Sequence, residues 1–89
     1  MTKAAQAPAP WLPAPYDVAD AGAIQALARG EATPEQQQRA LNWIINEACD
    51  TYGLEYRQDP RDHAFASGKR AVGLNVVKML KLNLALFKK

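Results

Sequence analysis

The chain has 89 residues, 48% of them apolar and 22% charged, with one cysteine and one histidine. That length allows one small domain burying about 60 to 65% of its unfolded surface, which argues against a deep, sculpted active site. The balance of apolar and charged residues is that of a globular chain, and a lone cysteine with a lone histidine supplies neither a disulfide framework nor a zinc set.

The formal charge of +2 conceals a division. Residues 1–56 carry three basic and seven acidic side chains, net −4, whereas residues 57–89 carry eight and two, net +6. Such asymmetry points to an anionic partner or to head-to-tail association between copies. No run approaches the ~18 consecutive apolar residues of a membrane-spanning helix, and the first residues lack the charged-then-apolar order of a secretory signal. A soluble, non-exported protein is the expectation. Lipid binding would require an interfacial helix to expose the apolar face that so small a domain needs as its core.

Residues 1–16 read as an extended arm. The run AAQAPAPWLPAP (residues 4–15) holds five alanines and four of the six prolines, and proline denies a helix or sheet its backbone donor. Trp11, Leu12 and Tyr16 add apolar weight that a spacer does not need, as anchors that cover the domain or dock on a partner. Residues 17–89 form the expected helical domain. Asp17 caps a first helix over about 18–29, and Gly30 stops it. Thr33, Pro34 and Gln36 form a cap, first-turn proline and capping-box partner for a second helix over 34–52, with Gly53 as its terminator. Ala40, Leu41, Ile44, Ile45, Ala48 and Cys49 recur at spacings of three and four and define its buried stripe. Trp43 lies beside that stripe, as its edge or as an exposed anchor.

Asp59 and Pro60 repeat the cap-then-proline start for a third helix over 60–82. Phe65, Val72, Val76, Met79, Leu80 and Leu84 fall on one side of it, broadened by Ala64, Ala71, Leu74 and Val77, and this face is expected to be buried. The periodicity drifts toward two from Leu80 to Phe87, so the helix should end or fray there. The fold class read from these signals is all-α, with two to three helices and an extended Pro-rich arm.

The segment SGKRAVG invites a phosphate-loop reading, but it follows helical turns instead of a strand, and Arg70 stands where the loop needs a hydroxyl. Gly68 and Gly73 each cost ~1 kcal/mol in a helix interior, so both are expected where a neighbouring helix or subunit approaches too closely for a side chain. Phe65, Gly68, Lys69, Arg70 and Gly73 thus form a candidate packing and docking segment, with the two cations outward or interfacial. His63, Asp59, Asp62 and Cys49 make a poor catalytic set. Asp59 is a cap, Asp62 and His63 diverge around the helix, and Cys49 belongs to an apolar stripe. No catalytic residue, cofactor or metal ligand is assigned, and a non-enzymatic role is expected.

The run DPRDHAFASGKRAVGLNVVKML resembles a family of small proteins of tailed bacteriophages, of a type described from a Bordetella podovirus and encoded among head and packaging genes. Asp59–Pro60, Ala64–Phe65, Gly68, Lys69–Arg70, Val72, Leu74, Val77 and Leu80 carry the likeness, and Ile44, Ile45 and Cys49 are similar to its upstream helix. Ser67 stands where that family commonly has an acidic residue. The likeness spans roughly residues 40–82 and implies a phage structural or assembly protein, in the virion, at the head–tail junction or in DNA packaging. Its setting would be the host cytoplasm during infection, or the virion. The partners so implied are other phage structural proteins or further copies of itself. Two alternatives remain open: a nucleic-acid-binding packaging protein that contacts DNA through its basic C-terminal helix, and a small phage inhibitor of a host enzyme.

Overall fold

The computed structural model describes residues 9–87. Residues 1–8 of the expected arm, with Lys88 and Lys89, lie outside the described residues. Three helices follow in order: α1 (Val18–Ala28), α2 (Pro34–Trp43), which runs on through a π-helical turn (Ile44–Ala48), and α3 (Pro60–Lys81), succeeded by a 3-10 turn (Leu84–Phe87). Among the described residues there is no strand, and the all-α expectation holds.

Each helix start is fixed locally. The Asp17 carboxylate accepts from the Asp20 N–H at 2.9 Å, while the Asp20 carboxylate accepts from the Asp17 N–H at 3.1 Å. Thr33 and Gln36 make the same reciprocal pair at 3.1 and 2.9 Å, with Pro34 in the first turn where no N–H is needed. Asp59 caps α3 by accepting from Arg61 and Asp62. Gly30, at φ +74°, reverses the chain after α1, with Glu31 N–H donating to the Ala26 carbonyl and Gly30 N–H to that of Leu27. This double closure requires a left-handed residue, which glycine adopts without steric cost.

The second helix departs from the expected span over 34–52. After Trp43 its hydrogen bonds lengthen by one residue, as in Cys49 N–H to the Ile44 carbonyl, and the chain leaves the helix at Asp50, at φ +47°. Asp50 therefore ends the element and Gly53 does not. Thr51 fixes this exit: its N–H and its hydroxyl both donate to the Ile45 carbonyl, at 3.1 and 2.7 Å, and the side chain is completely buried. The carbonyl freed by the widened turn is thereby satisfied twice.

The core is built from small side chains. Ala23 and Ala26 of α1, Ala40, Ile45 and Cys49 of the second helix and Ala66 of α3 are buried, and Ile45 is the only large aliphatic among them. α1 and α2 pack together as a hairpin, whereas α3 meets the other helical elements only at the π-helical turn. Its contact row is Ala66 and Gly73. The expected burial of the apolar side holds only in part: Val76 and Val77 are half-buried, whereas Phe65, Val72 and Met79 are exposed, and the row that faces inward is Ala66 and Gly73, about 100° round the helix from Phe65 and Val72. The reason is the separation. A methyl group on Gly73 would overlap the Thr51 hydroxyl and come within 2.9 Å of the Cys49 and Thr51 Cβ atoms, so only glycine at this position lets the α3 backbone settle on the turn.

Gly68 behaves oppositely, since nothing in the chain lies within 4 Å of a side chain added there. Gly73→Ala should therefore destabilise the protein by about 1–3 kcal/mol through overpacking. Gly68→Ala should be neutral or stabilise by up to ~1 kcal/mol through helix propensity. Thermal or urea denaturation of the two variants at dilute protein checks this, and equal effects would refute the assignment of Gly73 as the contact.

Candidate interaction surface

The arm is held by its carbonyls. Trp43 Nε1 donates to the Pro15 carbonyl at 2.9 Å, and Lys69 Nζ donates to that of Pro10 at 3.0 Å. Pro10 itself is buried. Residues 9–16 thus run between the second helix and α3, bridging two elements that touch only at one turn. Proline suits this role: its missing N–H leaves a carbonyl-rich strand that tryptophan and lysine donors can grip. The sequence allows Trp11, Leu12 and Tyr16 either to cover the domain or to dock on a partner, and only the covering alternative is at odds with their exposure. The three stay exposed, because the grip falls on the backbone and leaves their side chains to solvent. Trp43 is half-buried, and its indole N–H does the anchoring.

The two cations of the docking segment are half-buried and each has a partner within the chain. Lys69 is half-buried and occupied by Pro10, while Arg70 Nη1 lies 3.7 Å from Glu55 Oε1. His63 Nδ1 sits 3.2 Å from the Glu55 carbonyl, and its ring meets that of Tyr56 at 5.7 Å between centroids. The connector before α3 is thus tied to the helix by Arg70 and His63. Cys49 is buried, Asp59 is spent as a cap, and among the described residues no cluster of three His, Cys, Asp or Glu side chains could hold a metal ion. No helix among the described residues is long and apolar enough to cross a membrane.

Where the arm enters α1, three charged groups form a network. Arg39 of α2 donates from Nε to Asp20 at 2.9 Å and from Nη2 to both carboxylate oxygens of Asp17 at 3.1 Å. The Asp17 carboxyl is held below its ordinary value of 3.8, first by the Asp20 N–H; loss of hydration comes next and opposes this, and the charge and hydrogen bond of Arg39 lower it further. The hydrogen bond to Asp20 leads in raising the pKa of Arg39. Beside this network lies an open depression of about 630 Å³ that also includes Glu35, Trp43 and Glu47. It concentrates much of the acidic charge of the first half.

Exposed large apolar residues occur in α1 (Val18, Leu27), in the connector (Tyr52, Leu54, Tyr56) and on α3 and beyond it. Phe65, Val72 and Met79 are 47%, 56% and 68% exposed, and Leu84, Leu86 and Phe87 continue the apolar character past the helix end. The sequence named Phe65 and Gly68 as interaction residues, and both lie on this open side; Gly73 lies inside, and Lys69 and Arg70 sit between. Val72 and Met79, which the sequence assigns to the apolar side of the helix, are exposed as well. Their periodicity is equally compatible with an internal contact and an external one.

No family model, curated protein or solved structure matches this chain.

The carboxyl shift has a definite sign. A carboxylate whose folded pKa is depressed contributes stability that is fully present above its unfolded value and is lost as pH falls through the folded value. Below about pH 3.8 the protein should therefore lose stability partly through Asp17. Asp17→Asn keeps a capping side chain but removes the charge, and should flatten the acid limb of the melting-temperature profile between about pH 5 and pH 2. An unchanged limb would remove Asp17 as a contributor.

The arm grip is tested with the fluorescence of Trp11. In Trp43→Phe it is the sole tryptophan, and adding Lys69→Met should lower its anisotropy while helix content by circular dichroism stays constant. Equal anisotropy would show that Lys69 does not restrain the arm.

Proposed function

We propose that the chain is a bacteriophage structural or assembly protein, acting through protein–protein contacts as a virion, head–tail or DNA-packaging component. The observation that carries the reading is α3. A 22-residue helix meets the other helical elements at one turn, where Gly73 allows the approach, and presents Phe65, Val72 and Met79 to solvent. Exposed large apolar side chains that recur along one side of a helix are a pattern of association sites on soluble proteins. The likeness of residues 59–80 to small tailed-phage proteins encoded near head and packaging genes supplies the setting, with the host cytoplasm during infection or the virion as its place. The acidic first half and basic last helix add complementary charge for assembly.

A nucleic-acid role has less support. Lys69 and Arg70 are engaged within the chain, which leaves Arg61, Lys78 and Lys81 as the exposed cations of α3. Such a role predicts DNA affinity that falls steeply with salt and weakens on Lys78→Ala with Lys81→Ala.

Mass determination of purified virions and assembly intermediates tests the main reading. The chain is expected in one of them at fixed stoichiometry, and Val72→Glu should deplete it there. Its absence from particles and from every assembly intermediate would overturn the proposal.

A further inference from the structure

We propose that the arm is a latch: fastened at its base near Pro15 and caught at Pro10 by Lys69, it fixes the angle of α3 against the α1–α2 hairpin, and α3 turns about the Gly73–Thr51 contact when the arm lifts. The pivot is small. α3 meets the other helical elements only at the π-helical turn, and just past that turn Gly73 abuts Thr51. A contact confined to one point fixes a place on the helix and leaves its direction to restraints set away from that point. Among the described residues, the Lys69–Pro10 hydrogen bond, at 3.0 Å, is the one side-chain hydrogen bond or ion pair that joins α3 to anything before residue 50. Arg70 and His63 reach Glu55 instead, in the connector that leads into α3, and so do not cross to the hairpin.

The arm has the form of a strut. At its base Trp43 donates to the Pro15 carbonyl, and Asp17 is fastened both as the cap of α1 and by Arg39. From Pro10 to Pro15 three of the six residues are prolines, whose fixed φ keeps so short a segment stiff. The far end is caught by a single ammonium–carbonyl bond. Pro10 is buried there, but Trp11 and Leu12 beside it are exposed, so no large apolar side chain seals the catch.

Between its two ends the arm stands clear of the helices. A gap of about 270 Å³, lined from the helix side by Asn46, Glu47, Asp50 and Lys69, separates them, whereas a packed interior leaves few voids larger than a water molecule. None of the buried core side chains from Ala23 to Ala66 lies in the arm. Lifting it therefore breaks one charged hydrogen bond and uncovers Pro10 while the helical core stays closed, which is the condition for a local opening below the cost of global unfolding. The latch does not depend on what α3 binds. It sets whether the outer face of the helix, with Phe65, Val72 and Met79, is presented at one angle or over a range.

Double electron–electron resonance between spin labels at Gln25→Cys in α1 and Lys81→Cys at the end of α3 tests it, in the full chain diluted with unlabelled protein. Both positions are exposed, and Cys49 is buried. α3 runs eight residues past Gly73, about 12 Å, so a turn of about 25° moves its end by about 5 Å. The labelled parent should give one narrow distance. Lys69→Met should broaden that distribution or shift it by about 5 Å, with helix content by circular dichroism unchanged. If Lys69→Met loses helix content, Trp43→Phe, which frees the base of the arm, carries the same expectation. An unchanged narrow distance in the folded variant overturns the latch: either the arm is held by other means, or it lifts and α3 keeps its angle without it. A parent as broad as the variant would overturn it too, and so would loss of helix content in both variants, because a latch lifts without melting the helices it joins.

Discussion

The fold depends on the contact of Gly73 with Thr51. The second helix widens by one residue after Trp43, and the carbonyl of Ile45 is then answered by both the N–H and the hydroxyl of Thr51. These two hydrogen bonds fix Thr51, which is completely buried, with its side chain toward α3, where only a residue without a side chain can approach. The long helix is thus positioned by backbone proximity and hydrogen bonding more than by apolar bulk. Small-residue contacts of this kind bring backbones close but remove little surface from water. The remaining restraint on α3 comes from polar ties: Lys69 to the arm, Arg70 and His63 to the connector.

That division of labour explains why so much apolar surface stays outside. A core of alanines, one isoleucine and one cysteine cannot accommodate Phe65, Val72 or Met79 without separating the backbones that Gly73 brings together. The inner side of α3 is narrow at the turn, and Phe65, Val72 and Met79 stand outside it while Val76 and Val77 are half-buried. Interaction capacity follows from the packing mode and does not require a separate device.

What could be read from the sequence, and what could not, divides along the same physical line. Helix starts were legible because caps act over three residues: Asp17, Thr33 with Pro34 and Gln36, and Asp59 with Pro60 each declared an N-terminus that the structure contains. The stripe from Ala40 to Cys49 was legible because it borders a real core. The inward side of α3 was not, because hydrophobic periodicity identifies an apolar face without saying whether its partner belongs to the same chain. Glycines gave an ambiguous signal for a related reason: Gly73 and Gly68 look alike in sequence, yet one meets Thr51 and the other meets open space. The grip on the arm was hidden because carbonyls accept the bonds, and every residue has one.

The π-helical turn has a consequence for the spacing between the two halves of the molecule. A π turn is, in effect, one residue inserted into an α-helix, and it rotates everything after it by about 100° relative to an uninterrupted continuation. Cys49 and Thr51 face α3 because of that rotation. Without the extra residue the same side chains would point elsewhere, and α3 would be carried around the hairpin with them. Chain length between Trp43 and Cys49 therefore acts as an angular coordinate, setting the direction in which the outer face of α3 is aimed while leaving its composition untouched.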